Sequence, residues 1–175
     1  MRYRRADVPG ATYFFTVNLA DRSRTLLVDH VDILRTAIRA VKKRHPFHID
    51  AMVVLPEHLH AIWTLPAGDR DFSTRWLLIK AAFSRRLPLR ELRNNSRLAK
   101  AERGIWQRRF WEHLIRDERD YATHVAYIHY NPVRHGHAQQ AAQWPYSSIH
   151  RFIAAGIVAP DWGHGQMFDA DGWGE

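Results

Sequence analysis

Two histidines, two positions apart in an apolar stretch, have the types and spacing to bind a metal ion. His58 and His60 lie within the apolar run from 51 to 65. If that run is a strand, its side chains alternate between faces, so both imidazoles point the same way and can share one cation. Leu59 and Ala61 would then face the core. Because the chain has 12 histidines, the pair could also be two polar residues on the wet face of a strand.

A tyrosine and an asparagine farther along the chain complete a candidate active site. Tyr127 and Asn131 are one helical turn apart, so on a helix their side chains point the same way. Two imidazoles and an amide oxygen can bind a divalent ion and leave positions for phosphate oxygens; without thiolates, Mg²⁺ or Mn²⁺ fits best. Each residue could instead be structural, Tyr127 as a packing residue and Asn131 as a helix stop.

The chemistry that would use this set is cleavage of a phosphodiester by a tyrosine nucleophile. The cation acts as a Lewis acid, and a covalent phosphotyrosine conserves the ester linkage, so a second 3′-OH can rejoin the DNA. Tyr130 is a competing nucleophile that points elsewhere around the helix. Glu57 is expected on the opposite strand face, and the surface is expected for His113, His124 and His129.

Charge and composition narrow the class of partner. The formal charge is +8, and the window 80–109 alone carries ten lysines and arginines against two glutamates. This favours nucleic acid as the partner, with no small-molecule substrate. We expect DNA contacts from an N-terminal arm and from a pair of arginines in the window: Arg2, Arg4, Arg5, Arg108 and Arg109.

The absence of certain sequence signals excludes other classes of protein. The chain has no cysteine, which excludes a disulfide framework and thiolate metal sites. It has no apolar run long enough to cross a membrane and no signal peptide at its start, so we expect a cytoplasmic protein without membrane contacts.

Apolar periodicity predicts the elements that must position the candidate site. Strands are predicted at 12–20, 47–55, 58–65 and 107–115, and helices at 29–44, 72–87 and 117–130. The order predicts an α+β fold: a ferredoxin-like β-α-β-β-α-β sandwich, with helices on one face of an antiparallel sheet and an extra C-terminal helix carrying Tyr127.

Several local expectations accompany this fold. All odd-numbered residues from Phe47 to Leu55 should share one side of their strand, and Pro132 should stop the last helix at Asn131. We expect one domain over 1–155, with a basic link at 89–104 that is a loop or a short helix. The tail 156–175, rich in glycine and acidic residues, is expected to be irregular.

The residues around the candidate site resemble a known family. The run LPEHLH at 55–60 is similar to the HUH motif of single-tyrosine HUH transposases, in which U is a bulky apolar residue. Tyr127 with Asn131 resembles the helix-borne nucleophile and metal ligand of that superfamily. Three further segments are similar to one branch, the REP-associated tyrosine transposases of bacteria: WQRRFWEH at 106–113, YIHYNPV at 127–133 and WPYSS at 144–148.

This resemblance implies a substrate, a cofactor and residue roles. The substrate is single-stranded DNA with REP-type hairpins, cleaved and rejoined with Mg²⁺ or Mn²⁺ through a 5′-phosphotyrosine. Tyr127 is the nucleophile, and His58 and His60 are ligands; Asn131 stands where glutamine is common elsewhere in the superfamily. The protein would be bacterial and nucleoid-associated, as a monomer or weak homodimer. Two alternatives stay open: a non-catalytic hairpin-binding DNA regulator and a metal nuclease that uses water.

Overall fold

Four antiparallel strands form the sheet that carries the candidate site. The computed structural model describes residues 7–88, 99 and 103–163; the arginine arm, most of the basic link and most of the acidic tail lie outside these ranges. The sheet order is β2-β3-β1-β4. The strands are β1 (Thr12–Asn18), β2 (His48–Val54), β3 (His58–Thr64) and β4 (Trp111–Leu114). This order confirms the predicted ferredoxin-like α+β fold.

Helices cover both faces of the sheet. The helices in chain order are α1 (Leu26–Asp29), α2 (Val31–Arg44), α3 (Phe72–Arg86), α4 (Glu118–Arg134) and α5 (Ile149–Ala154). The larger buried cluster, which includes Phe15, Trp63 and Trp76, packs the sheet against α2 and α3. A second cluster, which includes Phe14 and Ile128, lies under α4 on the other face. No helix in the described ranges is long and apolar enough to cross a membrane.

A β-bulge divides β2 between the two faces. The register of β2 against β3 shifts between Ile49 and Ala51. Phe47 and Ile49 therefore pack with the cluster under α2 and α3, whereas Ala51, Val53 and Leu55 pack in the cluster under α4. The predicted uniform alternation from 47 to 55 is wrong, because one extra residue moves every later side chain to the opposite face.

Two predicted boundaries also differ from the structure. The helix predicted at 29–44 begins later, as α2 at Val31, and Asp29 is instead the last residue of α1, where its carboxylate accepts a 2.6 Å hydrogen bond from Thr25. The strand predicted at 107–115 is confined to β4. Its earlier part is not a strand: Gln107 donates one backbone hydrogen bond to the Asn18 carbonyl (3.0 Å), and the chain then bends at Arg108 before β4 begins.

Helix α4 continues through Pro132, so the predicted stop at Asn131 is wrong. Proline removes one N–H donor and so one bond to the carbonyl four residues earlier, but it lies in the last turn, and the helix ends two residues later at Arg134. The end is closed by hydrogen bonds from the His135 amide to the Asn131 carbonyl (3.0 Å) and from the His137 amide to the Pro132 carbonyl (2.8 Å). Asn131 is therefore held within regular helix, fully buried.

Candidate active site

The two histidines of the HUH motif lie side by side on β3, facing α4. Their ring centroids are 4.9 Å apart, and both side chains are fully buried. His60 Nδ1 lies 2.9 Å from the Thr16 hydroxyl oxygen, and His58 Nδ1 donates to Glu57 at 2.9 Å. Because a carboxylate only accepts, His58 Nδ1 carries the proton and His58 Nε2 carries the lone pair; in both rings Nε2 is the nitrogen directed away from these partners.

Glu57 contacts the site, contrary to the expectation that it points to the opposite face. It lies in the turn before β3, so strand alternation does not govern its direction. Burial would raise the pKa of its carboxyl, but the hydrogen bond from His58, with the electrostatic interactions of His58 and of Arg22 at 3.6 Å, lowers that pKa to about 2. A carboxylate fixed on Nδ1 orients the His58 ring as in many metal sites.

One row of side chains on α4 faces the histidine pair. The Tyr127 ring centroid is 5.1 Å from that of His60, and the His135 centroid is 5.2 Å from that of His58. Asn131 lies between them, one turn from each, and is fully buried. The structure therefore brings together the four residues singled out in the sequence, with His135 as an additional neighbour.

The donor atoms fit a divalent cation. Nε2 of His58, Nε2 of His60 and both Oδ1 and Nδ2 of Asn131 are buried, and none has a hydrogen-bond partner in the described part of the chain. Buried polar atoms are almost always paired, so unpaired atoms on all three side chains need an explanation. Two imidazole nitrogens and an amide oxygen form an incomplete ligand set, which leaves positions for phosphate oxygens.

The electrostatics of the site suit neutral ligands and an anionic substrate. Burial, followed by electrostatic interactions with His58, His135 and Arg134, holds the pKa of His60 well below its ordinary value, so its ring is neutral. A neutral imidazole is the form that binds metal. The guanidinium of Arg134 lies 5.7 Å from the Tyr127 ring centroid, which places a positive charge beside the predicted nucleophile.

Other predicted residues lie elsewhere. Tyr130 is only half-buried, and a Cβ at Gly163 would lie 3.3 Å from its ring, so this ring packs on a different side of α4 from Tyr127. Arg108 and Arg109 are exposed on the segment that precedes β4. The arm with Arg2, Arg4 and Arg5 is outside the described residues.

A second cluster contains groups that could hold a metal ion. His113, Asp120 and His124 bring one ligand atom each within 4.8 Å of one another. Asp120 accepts from His113 Nε2 at 2.9 Å and from Arg116 at 3.1 Å, and His124 Nδ1 donates to the Asp120 carbonyl at 2.7 Å. These bonds join β4 to the start of α4. The expected surface position is wrong for His124 and for His129, which are buried.

Sequence patterns missed three residues of the site: Thr16, Asn18 and His135. Asn18 is paired with His58 across the sheet, and its Oδ1 is buried without a hydrogen-bond partner among the described residues. Thr16 and Asn18 enter the site only through the pairing of β1 with β3, which no local pattern reveals. His135 could have been found, because it continues the one-turn spacing of Tyr127 and Asn131.

Comparisons with known proteins agree with this geometry. An Escherichia coli K12 protein named REP-associated tyrosine transposase is 49% identical over 160 residues, covering 91% of this chain and 89% of that protein. A Haemophilus influenzae protein provisionally given the same name is 45% identical, covering 92% of each. A solved REP-associated tyrosine transposase bound to a REP hairpin is 47% identical with a TM-score of 0.83, covering 100% of this chain and 97% of its own. No protein-family model matches the chain.

A ferredoxin-like sheet with paired histidines on β3 and a tyrosine on the facing helix defines the class as a tyrosine transposase of the HUH type. The identities above, which extend over nine-tenths of the chain, narrow the class further. The chain belongs to the REP-associated tyrosine transposases. The resemblance noted in the sequence is thereby confirmed.

Proposed function

We propose that this transposase cleaves and rejoins single-stranded DNA at REP hairpins through a covalent 5′-phosphotyrosine at Tyr127. The observation that carries the proposal is the pair of buried, unpartnered Nε2 atoms of His58 and His60 within the described residues, with the Tyr127 ring beside them. The relative bound to a REP hairpin supports this class of substrate.

His58, His60 and Asn131 are the residues that would hold the divalent ion, Mg²⁺ or Mn²⁺. When bound, the ion supplies Lewis acidity, which withdraws negative charge from the reacting phosphate. The protein prepares the ligands in advance: Thr16 and Glu57 fix the two rings through Nδ1, and burial keeps His60 neutral. This arrangement lowers the cost of ordering the ligands when a cation enters.

The reaction exchanges one phosphate ester for another. The oxygen of Tyr127 loses its proton and forms a bond to phosphorus, while the bond from phosphorus to the 3′ oxygen breaks. The departing oxygen takes up a proton and becomes a 3′-OH end. Attack by a 3′-OH on the phosphotyrosine reverses these steps, which restores a phosphodiester and the free phenol without ATP. Helix α4 holds the Tyr127 ring beside His60, which limits the orientations that the nucleophile must search.

The same proposal includes the DNA contacts and the assembly. The five predicted arginines, Arg2, Arg4, Arg5, Arg108 and Arg109, remain candidates for contacts to the DNA backbone. Because β3 and α4 of one chain contribute the whole constellation, a single chain can supply both the ligands and the nucleophile. This favours a monomer or weak homodimer. We further propose that it acts on chromosomal DNA at the nucleoid.

A denaturing gel tests the proposal. Protein, Mn²⁺ and a hairpin oligonucleotide with a 5′ extension should give a protein–DNA adduct that is lost in Tyr127→Phe. The matched control is Tyr130→Phe, one turn away on the same helix, which should still form the adduct. Cleavage without an adduct would indicate a water-using metal nuclease, and binding without cleavage a hairpin-binding regulator; either result would overturn the proposal.

A further inference from the structure

A groove on the α3 side of the sheet has no role in the site described above. It lies between α3 and the segment 103–108, and its volume is about 520 Å³. The lining residues include Lys80, Arg85, Trp106 and Arg108. Four of the lining residues that the structure describes are lysine or arginine, and none is aspartate or glutamate. A cleft lined by one sign of charge focuses its field and attracts the opposite charge.

Lys80 is the central cation of this groove. Its ammonium lies 5.8 Å from the ring centroid of Trp106 and 5.4 Å from that of Phe110, and it donates a 3.0 Å hydrogen bond to the Gln107 carbonyl. Burial lowers the pKa of Lys80 to about 8, so the ammonium gains from an anion that restores its lost solvation. An ammonium has three donors, and one bond to a carbonyl leaves capacity for a phosphate.

The cations of the groove differ in their exposure to solvent. Arg103 donates to the carbonyls of Leu87 (2.8 Å) and Pro88 (2.7 Å), so its guanidinium closes the end of α3. Arg85 and Arg108 are instead exposed, one on each wall. Trp106 is half-buried between them and supplies apolar surface. This combination of cations and an aromatic wall is typical of surfaces that bind single-stranded nucleic acid.

The sheet connects the groove to the candidate active site. The Gln107 amide donates to the Asn18 carbonyl at 3.0 Å, and Asn18 is paired with His58. The backbones of His58 and Gln107 are therefore separated by two strand spacings, about 10 Å. Because the histidine side chains face α4 and the groove lies on the α3 side, a DNA strand that contacts both would pass around the edge of the sheet.

We propose that this groove binds the single-stranded DNA flanking the scissile phosphate, with Lys80, Arg85 and Arg108 contacting phosphates and Trp106 contacting a base. The inference rests on the proposed function, because the flank must run from a phosphate at His58 and His60. It adds a second, separate binding surface on the opposite side of β1 from the histidine pair.

Two double variants test the groove. Arg85→Gln with Arg108→Gln removes two exposed charges from it, and Lys42→Gln with Lys43→Gln removes two exposed charges from the end of α2. Binding is measured by fluorescence anisotropy at several salt concentrations, in EDTA, for a REP hairpin with a 5′ single-stranded flank and for the same hairpin without it. Thermal melting by circular dichroism checks that all variants are folded.

The groove variant should bind the flanked hairpin about tenfold more weakly than wild type, and the slope of log affinity against log salt concentration should be smaller by about 1.4. Its affinity for the flankless hairpin should be within about twofold of wild type. The α2 variant should not distinguish the two hairpins. An equal loss on both hairpins, or behaviour equal to that of the α2 variant, would overturn the inference.

Adduct formation by wild type with Mn²⁺, measured in parallel, separates the two proposals. If wild type forms the adduct and the groove variant binds the flanked hairpin normally, the groove inference is refuted and the proposed chemistry stands. No adduct in wild type would refute the proposed chemistry, and flank-specific loss in the groove variant would still support the groove as a DNA-binding surface.

Discussion

The hydrogen bond between Thr16 and His60 provides a sharp test of the metal site. Thr16→Val replaces the hydroxyl with a methyl group of similar size and leaves His60 Nδ1, in a fully buried ring, without its 2.9 Å partner. Removing one partner of a buried hydrogen bond costs about 1 to 3 kcal/mol of stability. Loss of an orienting partner costs about 10- to 100-fold in metal affinity, which corresponds to about 1.4 to 2.7 kcal/mol.

The matched control is Thr12→Val, on the same strand and the same face. The Thr12 hydroxyl is 2.8 Å from that of Thr64, far from the histidine pair. Both variants should lose some stability, but only Thr16→Val should weaken Mn²⁺ binding measured by isothermal titration calorimetry at a temperature where both are folded. Equal Mn²⁺ affinity in Thr16→Val, Thr12→Val and wild type would refute the role of Thr16 in orienting His60 for the metal.

Two further predictions concern stability. Burial lowers the pKa of His129 from 6.5 to about 4, so between these values the unfolded chain binds a proton that the folded chain does not. The free energy of unfolding of wild type should fall by up to about 3 kcal/mol from pH 7 to pH 4, and that of His129→Gln should fall less. The same pH dependence in urea unfolding of the two proteins would contradict this. Asp69→Asn removes the partner, 2.6 Å away, of the buried Arg75. Asp69→Asn should lower the free energy of unfolding, measured in urea, by about 2 kcal/mol. Asp32→Asn, whose ion pair with Arg35 is exposed, should lower it by under about 0.5 kcal/mol. Equal losses in the two variants would contradict this prediction.

Local periodicity was sufficient to predict the elements and much of the site. The alternation around His58 and His60 predicted a shared face, and the one-turn spacing of Tyr127 and Asn131 predicted a second one. Both predictions use only neighbours along the chain, where strand and helix geometry fix the direction of each side chain. The order of strands and helices then determined the fold, because few topologies accommodate it.

Features that depend on contacts distant in sequence could not be predicted in this way. The position of Thr16 beside His60 depends on the register of β1 against β3, and the bulge in β2 depends on its pairing with β3. The sequence around Pro132 also indicated a helix end, but hydrogen bonds from residues beyond the proline keep α4 regular through Asn131. The ligand role proposed for Asn131 depends on that continuation.

The site of covalent attachment tests the central claim most directly. After reaction with a hairpin oligonucleotide and Mn²⁺, tryptic digestion should release the peptide 120–134, which contains Tyr121, Tyr127 and Tyr130. Fragmentation in a mass spectrometer should place the nucleotide mass on Tyr127, the tyrosine that contacts His60. A nucleotide on Tyr121 or Tyr130, or a cleaved oligonucleotide with no modified peptide, would contradict the account.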